Sequence, residues 1–281
     1  MADAADPPGF RLPDRLAERA RDISDGRAEP ARPRDASTVI LLRDSSDGPL
    51  VYLLRRVSSM KFAPGAYVFP GGSVDPRDGD LAVGSSGPSP AAWGASLGAT
   101  ETLARELVCA AVRETFEESG VLLAGPAPDA IVPDTSGDDW EADRLALLDR
   151  SLSMAELLAR RGLVLRGDLL RPWAHWITPE IEERRYDTRF FVAALPEGQR
   201  TRDVSTESDQ VTWTRPADAV EAARRGDMLM LPPTRVTLTE LAGYGSVADV
   251  LAEQRVIRPR LPEARVVDGG VYLVLPSEAS S

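Results

Sequence analysis

The sequence predicts an α/β (α+β) fold in which helices cover a mixed β-sheet. Two apolar, β-branched segments, residues 37–43 and 50–57, flank Asp44-Ser45-Ser46-Asp47-Gly48, a pattern typical of a β-hairpin. A long amphipathic pattern over residues 101–119 predicts a helix. Strand and helix patterns then alternate irregularly, so the sheet is predicted to be mixed, with helices on both faces.

The remaining helices and strands are predicted from local apolar patterns and from the turn residues and prolines at their ends. Short apolar segments bounded by turn residues predict strands, and prolines near the start of a periodic segment favour a helix. The further predicted strands are residues 66–69, 163–165, 173–177, 189–195, 211–214 and 270–275. The further predicted helices are residues 140–151, 153–161, 215–225, 234–244 and 246–254.

The chain is predicted to form one domain behind a short leader. Residues 1–35 are rich in Asp, Pro and Arg, and we expect a loosely ordered N-terminal leader with a short helix near residues 12–23. Residues 36–281 are long enough for a single domain with a substantial core. We expect two insertions in it. Residues 79–100, rich in Gly, Ser, Pro and Ala, predict a surface loop, and residues 126–165 predict helices.

Charge and composition exclude several classes of function. The net charge of −11 and the pI near 4.8 argue against a nucleic-acid or anionic-membrane surface. No apolar run approaches the roughly 20 residues that span a bilayer, and the first residues do not resemble a signal peptide. The single cysteine, Cys109, excludes intrachain disulfides. We therefore expect a cytoplasmic protein that meets any polyanionic substrate with a local basic patch and a metal ion.

Residues 113–121, Arg-Glu-Thr-Phe-Glu-Glu-Ser-Gly-Val, are the most informative part of the chain. Glu114, Glu117 and Glu118 fall within about one third of the helix circumference, and Gly120 then ends the helix. Repulsion between like charges at this spacing destabilises a bare helix, which indicates a bound cation. Carboxylate oxygens favour Mg²⁺ or Mn²⁺, although a solvated acidic face is the alternative. The opposite side carries an apolar stripe of Val108, Cys109, Val112 and Phe116.

A Pro-Gly-Gly turn upstream completes a known pattern. Gly71 and Gly72 follow the strand segment Tyr67-Val68-Phe69. Together with residues 113–121, this turn resembles the Nudix box, the signature of hydrolases that cleave nucleoside diphosphates linked to another moiety. The resemblance implies a Nudix-type α/β/α sandwich with a loop–helix–loop metal site. It also implies that Glu114, Glu117, Glu118 and the Gly72 carbonyl bind the metal, and that Arg113 orients Glu117.

The first half of the box departs from the family pattern. Gly72 and Arg113 lie 41 positions apart, whereas the uninterrupted pattern places them 14 apart, so 27 residues are inserted. Counting back from Arg113, the family's first glutamate falls on Arg105. Glu101 and Glu106 are near this position but out of register. If the insertion is a lid, its deletion should change substrate preference more than stability.

Further residues resemble one branch of that family, the coenzyme A diphosphatases with an insertion in the box. The stretch 52–72 matches the coenzyme A motif at Arg56, Lys61, Gly65 and the Phe-Pro-Gly-Gly turn, and residues 176–191 resemble a downstream motif of the same branch. This implies hydrolysis of coenzyme A or acyl-coenzyme A to 3′,5′-ADP and (acyl-)4′-phosphopantetheine. Arg56 and Lys61, the only lysine, are expected to bind the 3′-phosphate, with Gly65, Gly71 and Gly72 lining the substrate site.

The catalytic base and the exact substrate stay open at this point. Glu207, in an acidic turn before a predicted strand, is the leading candidate for the base, with a solvated turn residue as the alternative. Other nucleoside diphosphate derivatives, such as ADP-ribose or NADH, are alternative substrates. A ligand-sensing module with the same fold but without turnover is a third hypothesis. Family analogy implies a homodimer.

Overall fold

This structure, a computed structural model, describes residues 10–59, 63–80, 84–203 and 208–275. The predicted site residues Lys61 and Glu207 lie outside the described residues. The chain divides into two compact units. The larger contains residues 36–174 and 189–257, and the described part of the smaller contains residues 10–35, 175–188 and 258–275.

The described elements alternate as the sequence predicts, with several short additions. The α-helices are α1 (Asp14–Ser24), α2 (Pro90–Leu97), α3 (Glu101–Ser119), α4 (Asp138–Leu148), α5 (Met154–Arg161), α6 (Pro216–Arg225), α7 (Pro232–Leu241) and α8 (Val247–Ala252). The strands are β1 (Phe10–Arg11), β2 (Arg34–Ser45), β3 (Gly48–Arg56), β4 (Tyr67–Val68), β5 (Gly71–Ser73), β6 (Ser85–Ser86), β7 (Ala124–Gly125), β8 (Val164–Arg166), β9 (Arg171–Ile177), β10 (Tyr186–Ala194), β11 (Ser208–Thr214), β12 (Pro259–Arg260), β13 (Glu263–Val267) and β14 (Gly270–Val274).

The main sheet of the larger unit has the strand order β11-β3-β2-β10-β9. The predicted hairpin is confirmed, because β2 and β3 pair antiparallel up to Ser45 and Gly48. Strand β11 also pairs antiparallel with β3, and the short strands β4 and β5 pair with β3 and β2. A smaller sheet, β6-β8-β7, contains one parallel and one antiparallel pair.

Both faces of the main sheet are covered, as predicted. Successive residues of a strand point to opposite faces, and Val39, Ile40, Leu41 and Leu42 of β2 are all fully buried. Val39 and Leu41 belong to one apolar cluster with residues of α2, α3, α4 and α5. The sheet is therefore buried from both sides, which explains its continuous apolar strands.

Helix α3 lies in the centre of this core, and its observed bounds are those that the sequence predicts. Thr100 caps its N-terminus, accepting from the Leu103 N–H, and Gly120 ends it with φ +74°. The predicted apolar stripe is buried, and so are Leu107, Ala110 and Ala111 on other sides of the helix. Glu114, Glu117 and Glu118 of α3 are buried or partly buried, so they do not form a solvated face. Among the described helices, none is long and apolar enough to cross a membrane.

The prediction of a surface loop between residues 79 and 100 is wrong, because this segment contains the packed helix α2. Ser89 caps the helix, Pro90 occupies its first turn, and Gly98 ends it in a left-handed conformation. Trp93 is 4% exposed and its ring meets Phe191 of β10 edge-on, with centroids 5.9 Å apart. Leu97 is fully buried. Deleting this segment would remove core side chains, so the deletion cannot test for a lid.

The smaller unit contains the sheet β1-β14-β13. In its other part, β12 pairs in parallel with His175 and Trp176 of β9, and the His175 Nε2 lies 2.5 Å from Asp187. Arg185 is buried and donates to the backbone carbonyls of Thr178 and Ala31. Residues 10–24, which the sequence assigns to a loosely ordered leader, form β1 and α1. The division into a leader and a single domain stays a prediction.

Replacement of Trp93 by alanine tests whether α2 is part of the core. We expect Trp93→Ala to lower the free energy of unfolding by about 3–5 kcal/mol, because it removes a fully packed aromatic ring. Urea titration measures this change. Ala95→Ser, at an exposed position of the same helix, is the control and should cost only a few tenths of a kcal/mol. A cost below about 1 kcal/mol for Trp93→Ala would contradict the packed insertion.

Candidate active site

The Gly71–Gly72 turn lies directly against the carboxylates of helix α3. A side chain at Gly72 would place its Cβ 2.5 Å from the Glu114 Oε1, and one at Gly71 would meet the Ser37 carbonyl at the same distance. The backbone N–H of Gly71 donates to the Glu118 Oε2 at 2.8 Å. Only glycine permits this close approach, so the structure brings the two predicted glycines and two of the predicted glutamates together.

Arg113 joins the carboxylates of the site. Its Nη1 donates to Glu114 at 2.6 Å and to Glu117 at 3.3 Å. Its Nε and Nη2 donate to the two oxygens of Asp78, at 3.0 and 2.9 Å, and Nη2 also donates to the Ser73 carbonyl. The predicted contact with Glu117 is therefore one of several. This guanidinium fixes the helix, the Gly-Gly turn and the following 3₁₀ turn, Pro76–Gly79, at once.

Asp78 is a site residue that the sequence analysis missed. It lies six positions after Gly72, where the box pattern counted forward from that glycine places its first acid. The count back from Arg113 crossed the insertion and reached Arg105, which instead donates to the Gly79 carbonyl. Glu101 is exposed, and Glu106 lies against Gly79. The insertion thus begins after Asp78, and the forward count from Gly72 is the signal that would have located this residue.

The site carries an excess of negative charge in a buried place. Arg113 offers one positive charge to Asp78, Glu114 and Glu117, so these four side chains carry a formal charge of −2 when ionised. Burial raises the pKa of Glu114 to about 7, with Arg113 opposing this shift and Glu117 adding to it. Burial also raises the pKa of Glu117. Both shifts reflect the cost of holding like charges away from water.

The chemistry of these groups fits a divalent metal ion. Within the described ranges, no group of three carboxylate, imidazole or thiol side chains is arranged as a metal cluster. Glu114 and Glu117 instead point to Arg113, and Glu118 to the Gly71 N–H. The donors are nevertheless hard oxygens, which Mg²⁺ and Mn²⁺ prefer. A charge of +2 would match the excess charge of the four buried side chains.

The predicted substrate residues Arg56 and Gly65 meet at the base of one loop. The Arg56 N–H donates to the Ala66 carbonyl, and the Gly65 N–H donates to the Arg56 carbonyl, both at 3.0 Å. Gly65 has φ +72°, which favours glycine. From this base, β4 leads through Tyr67 to Gly71. The loop and the carboxylates therefore belong to the same unit.

Three comparisons place the chain among known proteins. The family model of the NUDT19 Nudix domain matches residues 98–241. Acyl-coenzyme A diphosphatase NUDT19 of Gallus gallus is 29% identical over 274 residues, covering 77% of this chain and 70% of that protein. The Homo sapiens protein of the same name is 30% identical over 243 residues, covering 73% and 64%. A solved NUDIX hydrolase from Alicyclobacillus acidocaldarius shares 26% identity with a TM-score of 0.64, covering 80% and 98%.

These findings agree with the fold, and the matched range includes helix α3. The α/β fold of this chain, with its mixed sheet, is similar to that of the solved hydrolase, and the family model includes the whole of helix α3 and Gly120. The turn, Asp78 and Arg56 lie before the matched range but within the larger unit. The chain belongs to the family of the NUDT19 Nudix domain, within the Nudix hydrolases.

Proposed function

We propose that this protein is a metal-dependent diphosphatase that hydrolyses coenzyme A or acyl-coenzyme A to 3′,5′-ADP and (acyl-)4′-phosphopantetheine. The observation that carries the reaction type is the set of buried carboxylates that Arg113 assembles on the Gly71–Gly72 turn. The names of the chicken and human relatives support the substrate class. A homodimer in the cytoplasm stays a prediction from the sequence.

We assign the metal to Glu114, Glu117, Glu118 and the Gly72 carbonyl, with Mg²⁺ or Mn²⁺ as the ion. Such an ion supplies charge neutralisation on the diphosphate oxygens and lowers the pKa of an attacking water. The protein's own part is to hold the donors in place. Arg113 fixes two of the carboxylates, and the glycine turn lets the main chain approach them.

The substrate's two ends need different partners. The 3′-phosphate of coenzyme A carries charge that Arg56 and Lys61 match, the first as a bidentate fork and the second as a point charge. Gly65 closes the loop that bears them. Glu207 is our candidate for the base that accepts a proton from the attacking water. These roles, like those of the metal ligands, are assigned from the sequence pattern.

Product analysis by mass spectrometry tests the reaction. With Mg²⁺ or Mn²⁺ present, we expect 3′,5′-ADP to be released from coenzyme A. Loss of an outer partner of a metal site costs up to about 100-fold. Because Glu118 is assigned to the metal itself, we expect Glu118→Gln to lower the rate by more than this. Glu221→Gln, on the exposed side of α6, is the control and should leave the rate unchanged. Turnover only of ADP-ribose or NADH would reject the 3′-phosphate site, and no turnover at all would favour the sensing module.

Asp78 is expected to act through Arg113 and not on the substrate. Asp78→Asn leaves the guanidinium without its bidentate carboxylate, so we expect the metal concentration for half-maximal rate to rise about 10- to 100-fold. Asp78→Glu should recover most of the affinity, since it restores the family's glutamate. Metal titrations of the rate give both values, with Asp218→Asn at an exposed ion pair as control. An unchanged metal requirement in Asp78→Asn would contradict the proposed role of Asp78 in holding Arg113 for metal binding.

The raised pKa of Glu114 predicts how the stability of the metal-free protein depends on pH. The folded state holds this proton up to about pH 7, whereas the ordinary pKa is 4.5. The stabilisation is therefore full below pH 4.5 and is lost as the pH rises through 7, by at most about 3 kcal/mol. Urea unfolding in EDTA at pH 5 and 8 should show this loss in the natural protein but less of it in Glu114→Gln. Equal losses in both proteins would contradict the assignment.

A further inference from the structure

Arg144 and Arg202 contact the C-terminal end of helix α3, and Glu141 contacts both arginines. We propose that Arg144 of α4 is a positioning residue for the metal ligands, and that Glu141 connects Arg144 to Arg202 in a downstream loop. The proposal rests on the metal site of the proposed function. It concerns side chains that the box pattern does not include.

Arg144 holds the main chain at one of the metal ligands. Its side chain is 2% exposed, and its Nη1 donates to the backbone carbonyl of Glu117 at 2.8 Å. The side chain of Glu117 is held separately by Arg113. Glu117 is therefore fixed at its carbonyl by one guanidinium and at its carboxylate by another. A ligand held at both places loses little freedom when a metal binds.

Glu141 makes the burial of Arg144 possible and links it to a second arginine. Its two oxygens accept from the Nε and Nη2 of Arg144 at 2.9 and 2.6 Å. The Nη1 of Arg202 lies 3.0 Å from the same carboxylate. A buried guanidinium without a counterion is strongly destabilising. Removal of the Glu141 charge should therefore loosen both arginines.

Arg202 ties a downstream loop to the same end of the helix. Its backbone N–H donates to the Ser119 carbonyl at 2.9 Å, and its carbonyl accepts from the Tyr52 hydroxyl. Its side chain lies across Gly120, where a Cβ would meet the Arg202 Nε at 2.7 Å. The glycine that ends the box therefore also makes room for this arginine. In sequence, Arg202 precedes by five positions Glu207, the candidate base.

Electrostatics gives these contacts a specific role. The C-terminal end of a helix carries a partial negative charge and unsatisfied carbonyls. In α3 this end also carries Glu117 and Glu118. Their negative charges repel the partial negative charge of the helix end and therefore destabilise the last turn of the helix. Arg144 and Arg202 place two cations there, and Glu141 offsets only one of them. The network allows the acidic turn of α3 to keep its helical geometry until a metal binds.

Mn²⁺ binding to the full-length protein without substrate tests the proposal. Electron paramagnetic resonance of free Mn²⁺ gives the dissociation constant, and we expect Arg144→Met to raise it about tenfold or more. The matched control is Leu147→Ala, a buried apolar residue of the same helix. It should lower the melting temperature but leave the dissociation constant within about twofold, because it removes packing and no contact to Glu117.

The outcomes separate positioning from general stability. Normal Mn²⁺ affinity in Arg144→Met, or an equal loss in Leu147→Ala, would overturn the proposal. If Arg144→Met does not fold, Glu141→Gln decides, since this side chain is partly exposed. Weaker binding in Glu141→Gln supports the proposal, and unchanged binding overturns it. Absence of Mn²⁺ binding in the natural protein also overturns it, whereas failure to hydrolyse coenzyme A leaves this measurement intact.

Discussion

The buried guanidinium of Arg113 is the interaction on which the rest of the site depends. It contacts three carboxylates and one carbonyl, and the most distant of these in the sequence, the Ser73 carbonyl, lies 40 positions before Arg113. Without it, the side chains of Asp78, Glu114 and Glu117 would be buried together without the guanidinium that pairs with all three, which is far costlier than the loss of a surface ion pair. The position of the glycine turn relative to α3 follows from the same contacts, because Ser73 supplies the carbonyl.

Local periodicity explains why much of the fold could be predicted from the sequence. Helix α3 has a cap, a long apolar stripe and a terminal glycine, and all of these are signals within one segment. The β2–β3 hairpin likewise combines alternating strands with turn residues. Strands of two or three residues, such as β5 and β6, have no period to detect. They exist because a neighbouring strand supplies their hydrogen bonds, which a sequence pattern does not show.

The errors in the sequence analysis have a common cause, which is that partners across the insertion are distant in the chain. Asp78 and Arg113 form an ion pair although they are 35 positions apart. Because the insertion lies between them, a residue count from Arg113 does not locate the acidic residue on the other side of the insertion. Helix α2 had a local signature in Ser89-Pro90 and Gly98, yet its composition favoured a loop. Its burial depends on Phe191, about a hundred residues away. The roles of Arg144 and Arg202 were similarly invisible, since only the folded chain brings them to α3.

The insertion adjoins the carboxylates of helix α3, because it begins directly after Asp78, which forms an ion pair with Arg113. A long insertion between two residues that must touch raises the entropic cost of closing the chain, although only slowly with length. Here α2 packs beside α3 through Trp93 and Leu97. Gly94, within α2, lies so close to the following chain that a Cβ there would be 2.9 Å from the Ala99 carbonyl. Trp93 and Leu97 therefore hold this part of the inserted chain in the core by apolar contacts. The packing of α2 offsets the cost of closure, so the box keeps its ion pair despite the interruption.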